Sequence, residues 1–216
     1  NFTPPTSWYS ILPNAVEGEV TCELQTYDGT TLLGSKTYTF KAKVPASVKP
    51  TITNQAATPV SASTPAVPAG WNKYVKGKSK ARISADIAPG TGSTIKSVSV
   101  SGAGFTGSAL PFTSGLLSSI GTFDFTITVT DNRNRTHSVT VPVSVVDYKA
   151  PSASNVSFSR AASNGGAPDP NGTYIRGIAT ISAPMPEGVS NPITAKAYYR
   201  QVGASTWQPC GRAHLP

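Results

Sequence analysis

Apolar and polar residues alternate along much of this chain. In FTITVTD, residues 125–131, Phe125, Ile127 and Val129 alternate with Thr126, Thr128 and Thr130. That is the period of a strand with one buried face. The run Asp131-Asn132-Arg133-Asn134-Arg135 follows, and its Asp and Asn residues favour a tight turn. HSVTVPVSVVDY then returns as a second strand. Pro142 has no N–H, so this strand is expected at an edge or bulged there. The same grammar occurs near the start. Val20, Cys22 and Leu24 alternate with polar neighbours, Asp28-Gly29 supplies a hairpin turn, and Tyr38, Phe40 and Ala42 alternate with Thr37, Thr39 and Lys41. Further strands are expected at ARISADI, TIKSVSVSG, SNVSFSR, GTYIRGIATIS and ITAKAYYRQV. NQAATPVSASTPAVPAGW and SNGGAPDPNG read as loops with polyproline character.

Each of the two hairpins is followed by a proline, Pro50 and Pro151. Their spacing, about a hundred residues, matches one small β-sandwich. The expected fold is therefore all-β, with tandem immunoglobulin-like or fibronectin III-like β-sandwich modules. The boundaries fall at 1–48 for a partial module, 49–148 for a complete one and 149–216 for a second partial one. Asn1 in place of Met suits a processed chain or a fragment. On this reading a neighbouring segment or subunit supplies the strands that the outer modules lack, and exposed half-sandwich edges favour association.

Composition supports the strand reading and narrows the chemistry. Gly and Pro each number 19, charged residues make up 13%, and the formal charge is +8. No stretch carries a helical period, and no apolar run reaches membrane-spanning length. The positive charge suits polyanions such as teichoic acid, nucleic acid or acidic lipid, and equally suits solubility. Cys22 and Cys210 are too few for a disulfide scaffold. Both are expected as free thiols, Cys22 inside a strand pair and Cys210 in an irregular tail.

YVKGKSKARISADIAPGTGSTIKSVSVSG, followed by GTFDFTITVTDNRNRTHSVTVPVSVVDYKAP, resembles the immunoglobulin-like repeats of tail minor structural proteins from long-tailed phages of Gram-positive bacteria. The resemblance lies in Tyr74 to Ser79, Gly92 to Ile95, Thr130 to Thr136 and Val145 to Pro151. The repeats usually carry Gly between the hairpin arginines. Asn134 stands there in this chain and also tolerates positive φ. SWYSILPNAVEGEVTCELQTYDGTTLLGSKTYTF carries a related pattern, and NGTYIRGIATIS with ITAKAYYRQVGASTW resembles the start of another repeat. The resemblance implies a virion component on the outside of the tail. It would be a spacer or decoration segment supporting host attachment, with other tail or tail-tip subunits and copies of itself as partners. Two alternatives stay open: modules that themselves bind cell-wall glycan or teichoic acid, and stalk repeats of a bacterial surface protein. Nucleic acid and membrane insertion are not expected.

Several side chains could carry contacts. If KYVKGKSKAR is extended, Lys76, Lys78, Lys80 and Arg82 share one face. Such a stripe suits an anionic wall polymer, or serves to keep an edge strand from pairing. Arg133 and Arg135 at the hairpin tip could hold a phosphate or carboxylate. Alternatively, Asp131 caps the turn and pairs with an arginine. Trp71 and Tyr74 could stack on a sugar, and so could Trp8, Trp207, Tyr198 and Tyr199, although such aromatics often anchor a sandwich core. No metal or cofactor is expected. His137 and His214 lack companions at ligand spacing, the glycines fit turns rather than a nucleotide cradle, and the ten acidic residues sit mostly in turns. No catalytic residue is proposed, and the chain is expected not to be an enzyme.

Overall fold

The computed structural model describes residues 5–163, 166–189, 196–200 and 202–209. These residues are strand and loop, with two short 3-10 turns at Thr6–Ile11 and Ala69–Trp71. The chain divides into two compact units, Asn1–Val146 and Asp147–Pro216.

The first unit opens with a hairpin of β1 (Glu17–Asp28) and β2 (Thr31–Lys43). Its turn is Gly29-Thr30, one residue later than Asp28-Gly29, and Gly29 takes φ 59, which glycine adopts without steric cost. The register sets Val20 opposite Phe40 and Cys22 opposite Tyr38. Among the described residues, no third strand pairs with either edge.

Eight strands follow: β3 (Thr51–Ser61), β4 (Tyr74–Val75), β5 (Ser79–Ala88), β6 (Ile95–Gly102), β7 (Phe105–Gly107), β8 (Phe112–Thr113), β9 (Gly121–Asp131) and β10 (Thr136–Val146). They form two sheets, in the orders β3-β5-β8 and β4-β10-β9-β6-β7. Every pairing is antiparallel except β4 with β10. The inner faces meet in one core. β9 contributes Phe125, Ile127 and Val129, β10 contributes Val141, Val143 and Val145, and β5 contributes Ala81 and Ile83, with Val100 and Leu117 beside them. Burying one large aliphatic or aromatic side chain of this kind stabilises the fold by about 1.5–3 kcal/mol. The outward threonines and serines pair across strands instead, as Thr128 does with Ser138 at 2.8 Å. Pro142 faces Asp124 in unbroken register, and β9 is its sole neighbouring strand there. The strand is thus an edge at the proline, without a bulge.

Two expectations change. The first eight residues of the long predicted loop, 54–61, belong to β3. Pro59 is accommodated because β3 lies at the edge of its sheet, and Asn54 (φ 52) lies within a register shift between Thr53 and Ala56. KYVKGKSKAR is not one extended strand. Lys76, Gly77 and Lys78 form the turn between β4 and β5, with Gly77 at φ 68. Only Lys80 and Arg82 lie on a strand. Arg82 is paired with Thr58 on one side and Thr113 on the other, so it does not guard an open edge.

The second unit holds a hairpin of β11 (Ser152–Ala161) and β12 (Tyr174–Ser182), with a register shift around Asn155. The strand expected at ITAKAYYRQV pairs at Tyr198–Tyr199, with Gln208–Pro209. Residues 190–195 and 201 lie outside the described residues.

Candidate functional site

The densest cluster of polar contacts lies at the turn between β9 and β10. Alternation along β9 carries its inward row from Phe125 through Ile127 and Val129 to Asp131, which is fully buried. Asp131 Oδ1 accepts the backbone N–H groups of Arg133 and Arg135, both at 3.0 Å. The backbone adds Asn134 N–H to Asp131 C=O at 2.9 Å, and Asn134 takes φ 60. The carboxylate thus caps the turn through the main chain of the two arginines rather than through their guanidinium groups. Asp131 Oδ2 is buried without a hydrogen-bond partner, with the Cα of Gly90 packed close to it.

The guanidinium groups reach past the turn. Arg133, 4% exposed, donates from Nε to the Leu12 carbonyl at 2.8 Å, from Nη2 to Tyr9 at 2.7 Å and from Nη1 to Thr91 at 2.9 Å. Burial lowers its pKa from the ordinary arginine value, and the nearby Asp131 charge opposes that shift. Arg135 donates from Nη2 to the Val44 carbonyl and from Nη1 to Val48, each at 2.6 Å, and also to Pro45. The pair proposed for phosphate or carboxylate is therefore occupied by main-chain carbonyls. Together the arginines clamp residues 9–12, before the β1–β2 hairpin, and residues 44–48, after it, onto the end of the sandwich.

The other candidates are scattered. Lys76 and Arg82 are exposed, while Lys78 and Lys80 are partly buried. Tyr74 is 9% exposed and belongs to the core, so its ring is not offered to a sugar. Its hydroxyl has no hydrogen-bond partner, and burial pushes its pKa up to about 12. Trp71 ends the Ala69–Trp71 turn, partly buried, with its indole N–H also unpartnered. His137 stands opposite Val129 on the inward row of β10, which buries its Nδ1. No group of three potential metal ligands occurs among the described residues. Cys22 is a free, partly buried thiol on β1, whereas Cys210 and His214 lie outside the described residues. In the second unit Trp207 is 57% exposed, with the Arg200 guanidinium 4.7 Å from its ring centre. A hollow of about 40 Å³ between Phe105, Leu117 and Phe123 is too small for a sugar ring.

Nothing in the sequence marks the acceptors at Tyr9, Leu12, Val44, Pro45 and Val48, because every residue carries a carbonyl. The one available signal was the pair of arginines flanking a turn asparagine.

The first unit is thus a β-sandwich whose two turn arginines are directed at the chain's own backbone. The chain itself belongs to a siphovirus family: residues 1–166 match the family described as "Siphovirus protein of unknown function (DUF859)". No curated protein and no solved structure matches it. It is a phage protein built of β-sheets, and among its described residues no helix is long and apolar enough to cross a membrane.

Proposed function

We propose that the chain is a non-enzymatic structural segment of the virion, an immunoglobulin-like spacer or decoration element of the phage tail or tail tip that supports host attachment. The carrying observation is the clamp. The two arginines at the most prominent polar site bind the chain's own backbone and hold two segments against the sandwich, as a stiff spacer requires. Membership of a siphovirus family agrees with a virion role. The sheet order β10-β9-β6-β7 opposite β3-β5-β8 fits the immunoglobulin arrangement of G, F, C and C′ strands against A, B and E. Partners are other tail subunits and copies of the same chain.

Exposed Trp207 and Tyr199, with Arg200 stacked on the tryptophan, favour a second reading. In that reading the modules themselves touch a wall glycan or teichoic acid, with many weak contacts summed over copies. One experiment separates the two. The purified chain is titrated onto Gram-positive cells across a salt series, before and after teichoic acid is stripped, and purified virions are probed for the chain by immunogold labelling. A spacer gives tail labelling and no saturable binding. Saturable binding lost on stripping identifies an adhesin, and absence from virions rejects both readings.

A further inference from the structure

The β1–β2 hairpin has two unpaired edges and an open apolar face among the described residues. Its charges are segregated by strand. β1 carries Glu17, Glu19, Glu23 and Asp28 and no cation, whereas β2 carries Lys36, Lys41 and Lys43 and no anion. Four of the ten acidic residues of a chain with net charge +8 thus fall on one strand. Within the hairpin the two signs already face each other, Glu19 opposite Lys41 and Glu17 near Lys43 at 3.6 Å. On the polar face β1 therefore offers Glu17, Glu19 and Glu23 to an added strand and β2 offers Lys41 and Lys43, and neither edge is paired among the described residues. One face holds Val20, Cys22, Leu24, Tyr38 and Phe40, with Lys36 opposite Leu24 and its Nζ 5.4 Å from the Tyr38 ring centre. Leu24 is 63%, Tyr38 51% and Phe40 44% exposed. A two-stranded hairpin with an open apolar face is marginal in water, and unpaired edges are templates for further strands.

We propose that this hairpin is a cyclic self-assembly element, in which β1 of one copy adds to β2 of the next and the ring closes with the apolar faces inward. Charge selects this arrangement. A two-fold dimer joined edge to edge would set β1 against β1 or β2 against β2, placing like charges together. A partner of one sign would satisfy a single edge and leave the other open. Rotational symmetry instead sets every acidic edge against a basic one, and it keeps all pairings antiparallel because every β1 points the same way. Such head-to-tail contacts form rings when the rotation closes. The closed sheet has no edges left, and Tyr38 and Phe40 fill its interior. The inference is independent of whether the modules bind a cell wall.

The test uses the full chain and its mass in solution by sedimentation equilibrium. Wild type is expected as a ring of three or more copies. One variant, Glu17→Lys with Glu19→Lys and Glu23→Lys, makes both strands basic. Another, Lys41→Glu with Lys43→Glu, makes both strands acidic on their polar face. Each alone is expected to be a monomer, and an equimolar mixture to associate into rings of an even number of copies, because the acidic edges of one variant meet the basic edges of the other and the two must alternate. That rescue cannot come from misfolded chains. A monomeric or two-copy wild type, variants that keep the wild-type mass, or a mixture that stays monomeric would each overturn the proposal.

Discussion

At the scale of single residues, burial decides what each polar group does. Tyr74 shows this most directly. Its hydroxyl sits in the core without a partner, and the raised pKa follows from loss of water around the charged form. A raised value means that the unfolded chain ionises first. The associated stability is intact below pH 10 and is lost as pH climbs towards 12, a fall of about 2–3 kcal/mol. Urea unfolding at pH 8 and pH 11.5 should show the slope, and Tyr74→Phe should flatten it while leaving stability at neutral pH equal or slightly higher. Arg133→Met should cost about 1–3 kcal/mol, since it leaves three partly buried carbonyls without their donors. Chemical denaturation of the purified chain measures that. Sequence left Tyr74 open between a sugar contact and a core anchor, because Tyr74 and Val75 are buried consecutively and the two-residue strand β4 shows no alternation to reveal its burial.

At the scale of elements, legibility followed the strength of the period. β9 and β10 were evident because Phe125, Ile127 and Val129 alternate without interruption. β3 was hidden by Ala56, Ala57 and Pro59, residues that pack poorly on a pleated surface yet are tolerated at a sheet edge. The lysine stripe dissolved because Gly77 turns the chain. The clamp was half visible, as the capping role of Asp131 follows from the turn, but the reach of the guanidinium groups does not. Two substitutions probe these elements separately. Arg135→Ala should speed hydrogen exchange and proteolysis within residues 44–49 while β9 stays protected, as peptide-resolved exchange would show. Gly102→Ala would set its Cβ 2.6 Å from the Phe125 ring, and overpacking of that kind costs about 1–3 kcal/mol, readable as a lower urea midpoint.

At the scale of the whole molecule, apolar burial is uneven. Every buried hydrophobic side chain of the described residues except Ala161 belongs to the first unit. In the second unit Phe158 and Ile175 remain open to solvent. Calorimetry of the purified chain should therefore show two transitions, with residues 147–216 losing exchange protection first. A single two-state transition would contradict this division. The clamp of the first unit constrains how its sequence can change. Arg133 and Arg135 hold carbonyl oxygens, which look the same whatever side chains accompany them. Apart from the buried Val44, residues 9–12 and 45–48 can accordingly drift in identity without loosening the joint, while the two arginines cannot be exchanged even for lysine, which lacks the planar fork that reaches several acceptors at once. A deep mutational scan should find the held segments permissive and the two residues holding them nearly immutable.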